Sequence, residues 1–388
     1  MANLKGSHYV ELRCSARLLA SLIYINFSFF PICFPFSLKY IKIMQAAVLE
    51  EKEKLELKDI PKPIPEEGEI LIEVKSCAIC GTDIKVFHHG HKHIHFPRVT
   101  GHEVSGIIVA LGKNVEEYQK GERVAVAPAI PCGKCYYCRR GIEAMCENLT
   151  AIGYHYDGGF AQFMKVPRLA VSNGCVNPIP ENLSFQEASL AEPLACVING
   201  QELSKTGLGD TVAIIGAGPI GCFHAELARI KGTKKVILVE ISSARLEKAK
   251  FTGSDVYINS GKENLPQRVL EETKGRGADK VIVAVGSKKA QEDSLKIVAK
   301  CGILNFFGGL PKEDTIINFD SNLLHYGEFY VVGTHGSAPR HNQLALDILA
   351  AGKIDAKAYI TEKFCLSEIK KGLKMAEDKK GLKIIIQP

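Results

Sequence analysis

TVAIIGAGPIGCFHAELARI, residues 211–230, decides how the rest of the chain is read. Five residues with the composition of a buried strand run straight into Gly216, Gly218 and Gly221, and an apolar helical pattern opens on Pro219 and Ile220. In a strand-to-helix turn of the form G-x-G-x-x-G, the first glycine makes the tight turn and the second lets the backbone approach a pyrophosphate. The third lets helix and strand pack closely. The N-terminus of the helix then presents unbonded N–H groups and partial positive charge to the phosphates. The next strand, KVILVE (235–240), ends on Glu240, where an acid receives the ribose hydroxyls of an adenine dinucleotide. A carboxylate there repels a 2′-phosphate, so the pattern predicts NAD rather than NADP. Arg245 is a candidate adenine or phosphate contact, with a solvated arginine on the helix face as the alternative.

Outward from this turn the rhythm is strand and helix in alternation. DKVIVAVG (279–286), GILNFFGG (302–309) and FYVVGTHG (329–336) are further buried-strand runs, separated by helical stretches such as SSARLEKAKFTG (242–253). Five strands of this kind predict an α/β region with a doubly wound parallel sheet over 195–335. Before it, from Met44 to residue 194, short strands with frequent Gly and Pro, such as EILIEVKSCAICG (69–81) and ERVAVAP (122–128), predict a β-rich domain. After it, QLALDILAAG (343–352), an amphipathic helix over 367–378 and a last strand, LKIIIQ (382–387), are assigned with residues 336–388 back to that first domain.

The chain has 388 residues, enough for two domains and an appendage, with ordinary apolar and charged fractions. Its net charge of +6 is concentrated in residues 1–43, where Lys5, Arg13, Arg17, Lys39 and Lys42 stand against Glu11 alone. No basic stripe interleaved with aromatics occurs, which argues against nucleic acid as a partner. The uncharged stretch 18–38 resembles a signal peptide or short anchor, but Pro31 and Pro35 interrupt the helix that a span requires. Residues 1–43 are therefore read as an extension, and a membrane role is disfavoured. Thirteen cysteines, five of them at metal-ligand spacings, fit a reducing compartment better than a disulfide scaffold, and a cytoplasmic location is expected.

Cys132, Cys135, Cys138 and Cys146 read C-x-x-C-x-x-C-x7-C. Four thiolates so close can enclose one tetrahedral Zn²⁺ and leave no open position, as structural zinc requires. A second set is open. Cys80 sits in CGTD after a strand, His102 and Glu103 form GHE 22 residues later, and Glu192 lies in EPLAC at the domain junction. One thiolate and one imidazole with a carboxylate are ligands of a catalytic zinc that retains a free position. Glu103 and Glu192 are each either a ligand or an acid that tunes the metal from behind.

With CGTD (80–83), GHE (101–103), the four-cysteine lobe, DGGFAQF (157–163), EPL (192–194) and GAGPIG (216–221) assembled, the chain from Met44 onward resembles the zinc-containing medium-chain dehydrogenases, in their sorbitol and threonine dehydrogenase branch. The resemblance implies a GroES-like catalytic domain enclosing an inserted Rossmann domain, two zinc ions per chain, and a homotetramer or homodimer. It implies that Cys80, His102, Glu103 and Glu192 surround catalytic zinc and that Thr82 touches the reacting hydroxyl. The expected reaction is hydride transfer from a secondary alcohol of a polyol-like substrate to NAD. L-threonine oxidation is the alternative inside enzymes, and a non-catalytic dinucleotide-binding protein the alternative outside them. One departure stands out: the family commonly has a His five residues after the zinc-binding Cys, as the end of a proton relay, and here that position is Lys85. The relay then ends in Lys85, in His88 or His89, or in water. The run HHGHKHIH (88–95) reads either as a loop over the pocket, with its histidines and Lys92 on polar substrate, or as an exposed loop.

Overall fold

Strands too apolar to face water on either side must be covered by helices on both, and the second half of the chain does this. In the computed structural model, which describes residues 42–388, six parallel strands form one sheet. Across it lie Val256–Asn259, Lys235–Glu240, Thr211–Ile215, Ala278–Val283, Val298–Phe306 and Tyr330–Gly333. Thr211–Ile215 is buried at every position. Strand order reverses beside this central strand, with successive strands added first on one side of it and then on the other, and in such sheets the ligand crevice opens at the carboxyl ends of the strands at the reversal. The sheet has one strand more than the sequence reading found. Val256–Asn259 is four residues long, only half buried, and bounded by Gly253 and Gly261, so it carries no apolar run and relies on its edge pairing with Lys235–Glu240.

The first half is built on a seven-stranded, mostly antiparallel sheet. Val176–Pro178, Arg123–Val126, Glu103–Leu111, Ile70–Ala78, Lys383–Gln387 and Ile360–Cys365 follow one another across it, and Phe163–Val166 also pairs with Ile70–Ala78. The C-terminal strand thus lies beside the one leading to Cys80: Ile385 and Ile386 face Ala78 and Cys77, and Ile79 N–H donates to the Ile384 carbonyl at 2.9 Å. A three-stranded sheet of Lys54–Pro61, Ile43–Glu51 and Arg98–Val99 completes this half, starting one residue before Met44.

The helix Ala191–Leu203 joins the two halves and is buried along most of its length. Around it one apolar cluster runs from Ala78 and Ile385 of the first sheet through Leu194 and Val197 to Val212, Ile214 and Leu238 of the second. The two sheets therefore share a core. Among the described residues no helix is long and apolar enough to cross a membrane, and the stretch 18–38 lies outside the described residues.

Candidate active site and metal centres

Cys80 stands where the strand Ile70–Ala78 gives way to the helix Gly81–His89. The cap is made by Asp83, whose Oδ2 accepts from the Cys80 N–H at 2.8 Å, while Oδ1 lies 3.4 Å from His102 Nδ1. One buried carboxylate thus positions both the thiol backbone and the imidazole. It engages Nδ1 and leaves Nε2 as the nitrogen available for a metal, the arrangement that orients ligating histidines generally. Burial opposes a charged His102, but Asp83, Tyr154 and Cys80 together outweigh it and hold the ring's proton affinity well above normal. The ligand atoms of Cys80, His102 and Glu103 lie within 4.8 Å of one another. A thiolate, an imidazole and a carboxylate at this separation fit an open zinc site.

Glu103, fully buried, is gripped through both oxygens by Lys383 Nζ, which also donates to the Ile79 carbonyl at 3.3 Å. Burial drives the Glu103 carboxyl upward and the ammonium draws it back; the same contact keeps Lys383 protonated inside the protein. Glu192, in the first turn of Ala191–Leu203, is outside the set of three, and its Oε1 accepts from Cys196 Sγ at 3.5 Å. It is still close enough to raise the proton affinity of Glu103. Thr82 Oγ1 lies 3.6 Å from Cys80 Sγ. Tyr154 packs its ring on His102 at 5.8 Å, and burial holds its phenol protonated.

Asp83, Lys383, Tyr154 and Cys196 were not singled out from sequence. Asp83 was visible inside CGTD, and a lysine in the otherwise apolar LKIIIQ was a signal for Lys383. Tyr154 and Cys196 had none. Of the candidate relay ends, Lys85 projects outward as an exposed residue, and both nitrogens of His88 are 2.8 Å from carboxylates, those of Glu53 and Glu377. His88 is therefore tied into a surface ion-pair bridge.

In the four-cysteine lobe all ligand sulfurs lie within 4.8 Å of one another, with Cys135 to Cys138 at 3.5 Å and Cys135 to Cys146 at 3.9 Å. A tetrahedron with Zn–S bonds of about 2.3 Å has edges of about 3.8 Å, so the set fits zinc without rearrangement. Backbone donors of Lys134 and then Cys135 bring the Cys132 thiol down to about 6, whereas burial pushes the Cys138 thiol up to about 12 and raises that of Cys146, so a cation is what the four thiols together call for.

At the glycine turn, Gly216 has φ +105°, and a Cβ on Gly221 would stand 1.7 Å from the Gly216 carbonyl oxygen. Gly218 caps the helix Pro219–Ile230, with Pro219 and Ile220 in its first turn, and the Arg245 guanidinium lies over Gly218. Glu240 is buried: Oε2 accepts from the Ala217 N–H at 3.0 Å and pairs with Arg245 Nη2 at 3.2 Å, while Oε1 accepts from the N–H groups of Ile241 and Ser242. Its carboxylate thus braces the turn through three backbone N–H groups and Arg245.

Residues 66–176 match the alcohol dehydrogenase GroES-like domain, and residues 219–351 the zinc-binding dehydrogenase domain. The L-galactonate-5-dehydrogenase of Escherichia coli is 30% identical over 322 residues, 83% of this chain and 92% of that protein. The L-threonine 3-dehydrogenase of Pyrococcus horikoshii is 34% identical over 310 residues, 79% of this chain and 86% of that one. Among solved structures, a dehydrogenase from Sinorhizobium meliloti assigned as zinc-binding and bound to NADP superposes with a TM-score of 0.84 at 29% identity, covering 89% of this chain and all of that one.

Proposed function

Because the chain belongs to the zinc-type alcohol dehydrogenases, we propose that it oxidises a secondary hydroxyl of a polyol-like substrate of the sorbitol or iditol type, with NAD as hydride acceptor and two zinc ions per chain. The observation that carries this reading is the convergence of Cys80, His102 and Glu103 within 4.8 Å. The L-galactonate-5-dehydrogenase, named for oxidation of a polyhydroxy acid, supports the substrate class.

Cys80 and His102 hold the catalytic ion in this reading, with Glu103 and Glu192 as the carboxylates that complete or tune its shell. Cys132, Cys135, Cys138 and Cys146 hold the structural one. When bound, zinc supplies Lewis acidity toward the substrate oxygen and the nicotinamide supplies the hydride acceptor. Asp83 fixes the His102 ring, and Lys383 draws the Glu103 carboxyl, which burial leaves raised to about 7, back toward ionisation. Thr82 Oγ1 accepts the substrate hydroxyl proton and passes it toward solvent. Gly216, Gly218 and Gly221 seat the pyrophosphate with Arg245 above it, and Glu240 receives the adenosine ribose. Positioning of substrate against cofactor then supplies much of the acceleration.

Turnover followed by cofactor absorbance over polyols, inositols, sugar phosphates and threonine, with NAD and with NADP, tests the proposal. We expect sorbitol or iditol to be oxidised with NAD, activity to vanish on zinc removal and to return on re-addition. No turnover of any secondary alcohol would overturn it. Threonine oxidation is the second reading, favoured by the Pyrococcus relative, and a preference for threonine in the same screen would select it. We further propose a cytoplasmic homotetramer, or a homodimer; the eleven cysteines among the described residues are all unpaired, as a reducing compartment permits.

A further inference from the structure

The stretch between Asp83 and Glu103 contains no acidic residue, yet it holds Lys85, Lys92, Arg98 and six histidines. These are not alike in their surroundings. His88 lies between two carboxylates, and Arg98 is paired with Asp157. His91, His93, Lys92 and His155, the last brought in from the 153–157 turn, form no ion pair among the described residues. The rings of His93 and His155 stack at 4.8 Å, and His91 and His93 lie 5.3 Å apart. The Tyr154 ring packs edge-on against His91 at 5.0 Å and also lies 5.8 Å from the His102 ring. One phenol ring therefore neighbours both the imidazole cluster and His102.

We propose that His91, His93 and His155, with Lys92 beside them, recognise an anionic group, a carboxylate or a phosphate, at the end of the substrate remote from the reacting hydroxyl. The inference rests on the dehydrogenase reading above and narrows its substrate to an acidic polyol. Nδ1 of His155 accepts from the Ala151 N–H at 3.1 Å and Nδ1 of His91 from the His93 N–H at 3.4 Å, so Nε2 of each ring is the nitrogen left to donate, and with the Lys92 ammonium these N–H groups suit an anion. A metal site fits less well: their ring nitrogens do not converge as the ligand atoms of the two cysteine-containing sets do. When protonated, the rings of the cluster repel one another and Lys92. Burial and then the neighbouring His93, Lys92, Lys312 and His155 lower the proton affinity of His91, and burial, His93, Arg98 and His95 lower that of His155. An anion seated among them would relieve that repulsion.

Calorimetric titration of the zinc-loaded, NADH-bound protein with sorbitol, gluconate, sorbitol 6-phosphate and inorganic phosphate provides the test. We expect gluconate or sorbitol 6-phosphate to bind at least tenfold more tightly than sorbitol at low ionic strength, with the gap shrinking in salt. The preferred one of the two identifies the group as carboxylate or phosphate. The double variant His93→Gln/His155→Gln should lose that tenfold advantage while binding sorbitol within about twofold of the parent. Equal affinities for the anions and sorbitol, a gap that the double variant retains, or anion binding by inorganic phosphate that the variant leaves unchanged would each overturn the proposal. Anion binding that depends on the two histidines in a protein that oxidises none of these compounds would uphold the subsite and defeat the polyol reading instead.

Discussion

At the residue scale the site is held by pairs whose members are useless apart. In the proposed reading Cys80 is the soft ligand of the catalytic zinc, and Cys80→Ser should abolish turnover and cut bound zinc from two ions to one per chain by atomic absorption, with NAD binding retained. Unchanged activity would defeat the assignment. Behind it, Glu103 and Lys383 are both buried, and removing one partner of such a pair leaves an uncompensated charge costing about 3–5 kcal/mol. Lys383→Met should lower stability in urea by that order, and Lys383→Met/Glu103→Gln should recover most of it. If the double variant is as unstable as the single, the pair is not the source of the loss. Cys80, His102 and Glu103 were legible in sequence because short motifs carry them. The pairing of Lys383 with Glu103 was not, because the two lie 280 residues apart and only the register of the last strand against Ile70–Ala78 brings them together.

The helix Pro219–Ile230 carries two opposed demands at the scale of a single element. Its start must approach the sheet and the phosphates closely, so Gly221→Ala, with its Cβ 1.7 Å from a carbonyl oxygen, should cost at least about 1–3 kcal/mol and weaken dinucleotide binding tenfold or more by fluorescence titration. Its middle buries His224 with neither ring nitrogen bonded, edge-on to Phe307 at 4.7 Å. Burial pulls this imidazole down to about 3, so the folded state refuses a proton that the unfolded chain takes near its ordinary 6.5. The stability that His224 leaves intact above pH 6.5 is lost progressively as pH falls from there toward 3. Between pH 7 and pH 5 that amounts to about 2 kcal/mol. Urea midpoints for His224→Leu should show a correspondingly flatter pH dependence; a variant that follows the parent's slope would exclude His224 as the cause. The glycines of this helix were readable from spacing alone, whereas the isolation of His224 depends on which neighbours surround it.

Taken whole, the proposed reading gives the two cysteine-containing sets different purposes. The four-cysteine set closes a local loop, while the Cys80 set draws on strands far apart in the chain and keeps carboxylates beside it. Chelation should therefore proceed in two steps: activity lost first with little change in Tm, then a fall in Tm as the cysteine lobe empties, followed by zinc release and calorimetry. Simultaneous loss would contradict the division. The sequence by itself determined the parallel-sheet α/β class, the glycine turn and both cysteine sets, because each is written in local spacing and in side-chain period, which do not depend on the rest of the fold. The tertiary structure alone decided that Asp83 serves two ligands, that Lys383 pairs with Glu103, that His88 is bound to the surface and that His91, His93 and His155 gather beside Tyr154. Those are long-range meetings, and they are fixed by strand register and helix packing that no short stretch of chain encodes.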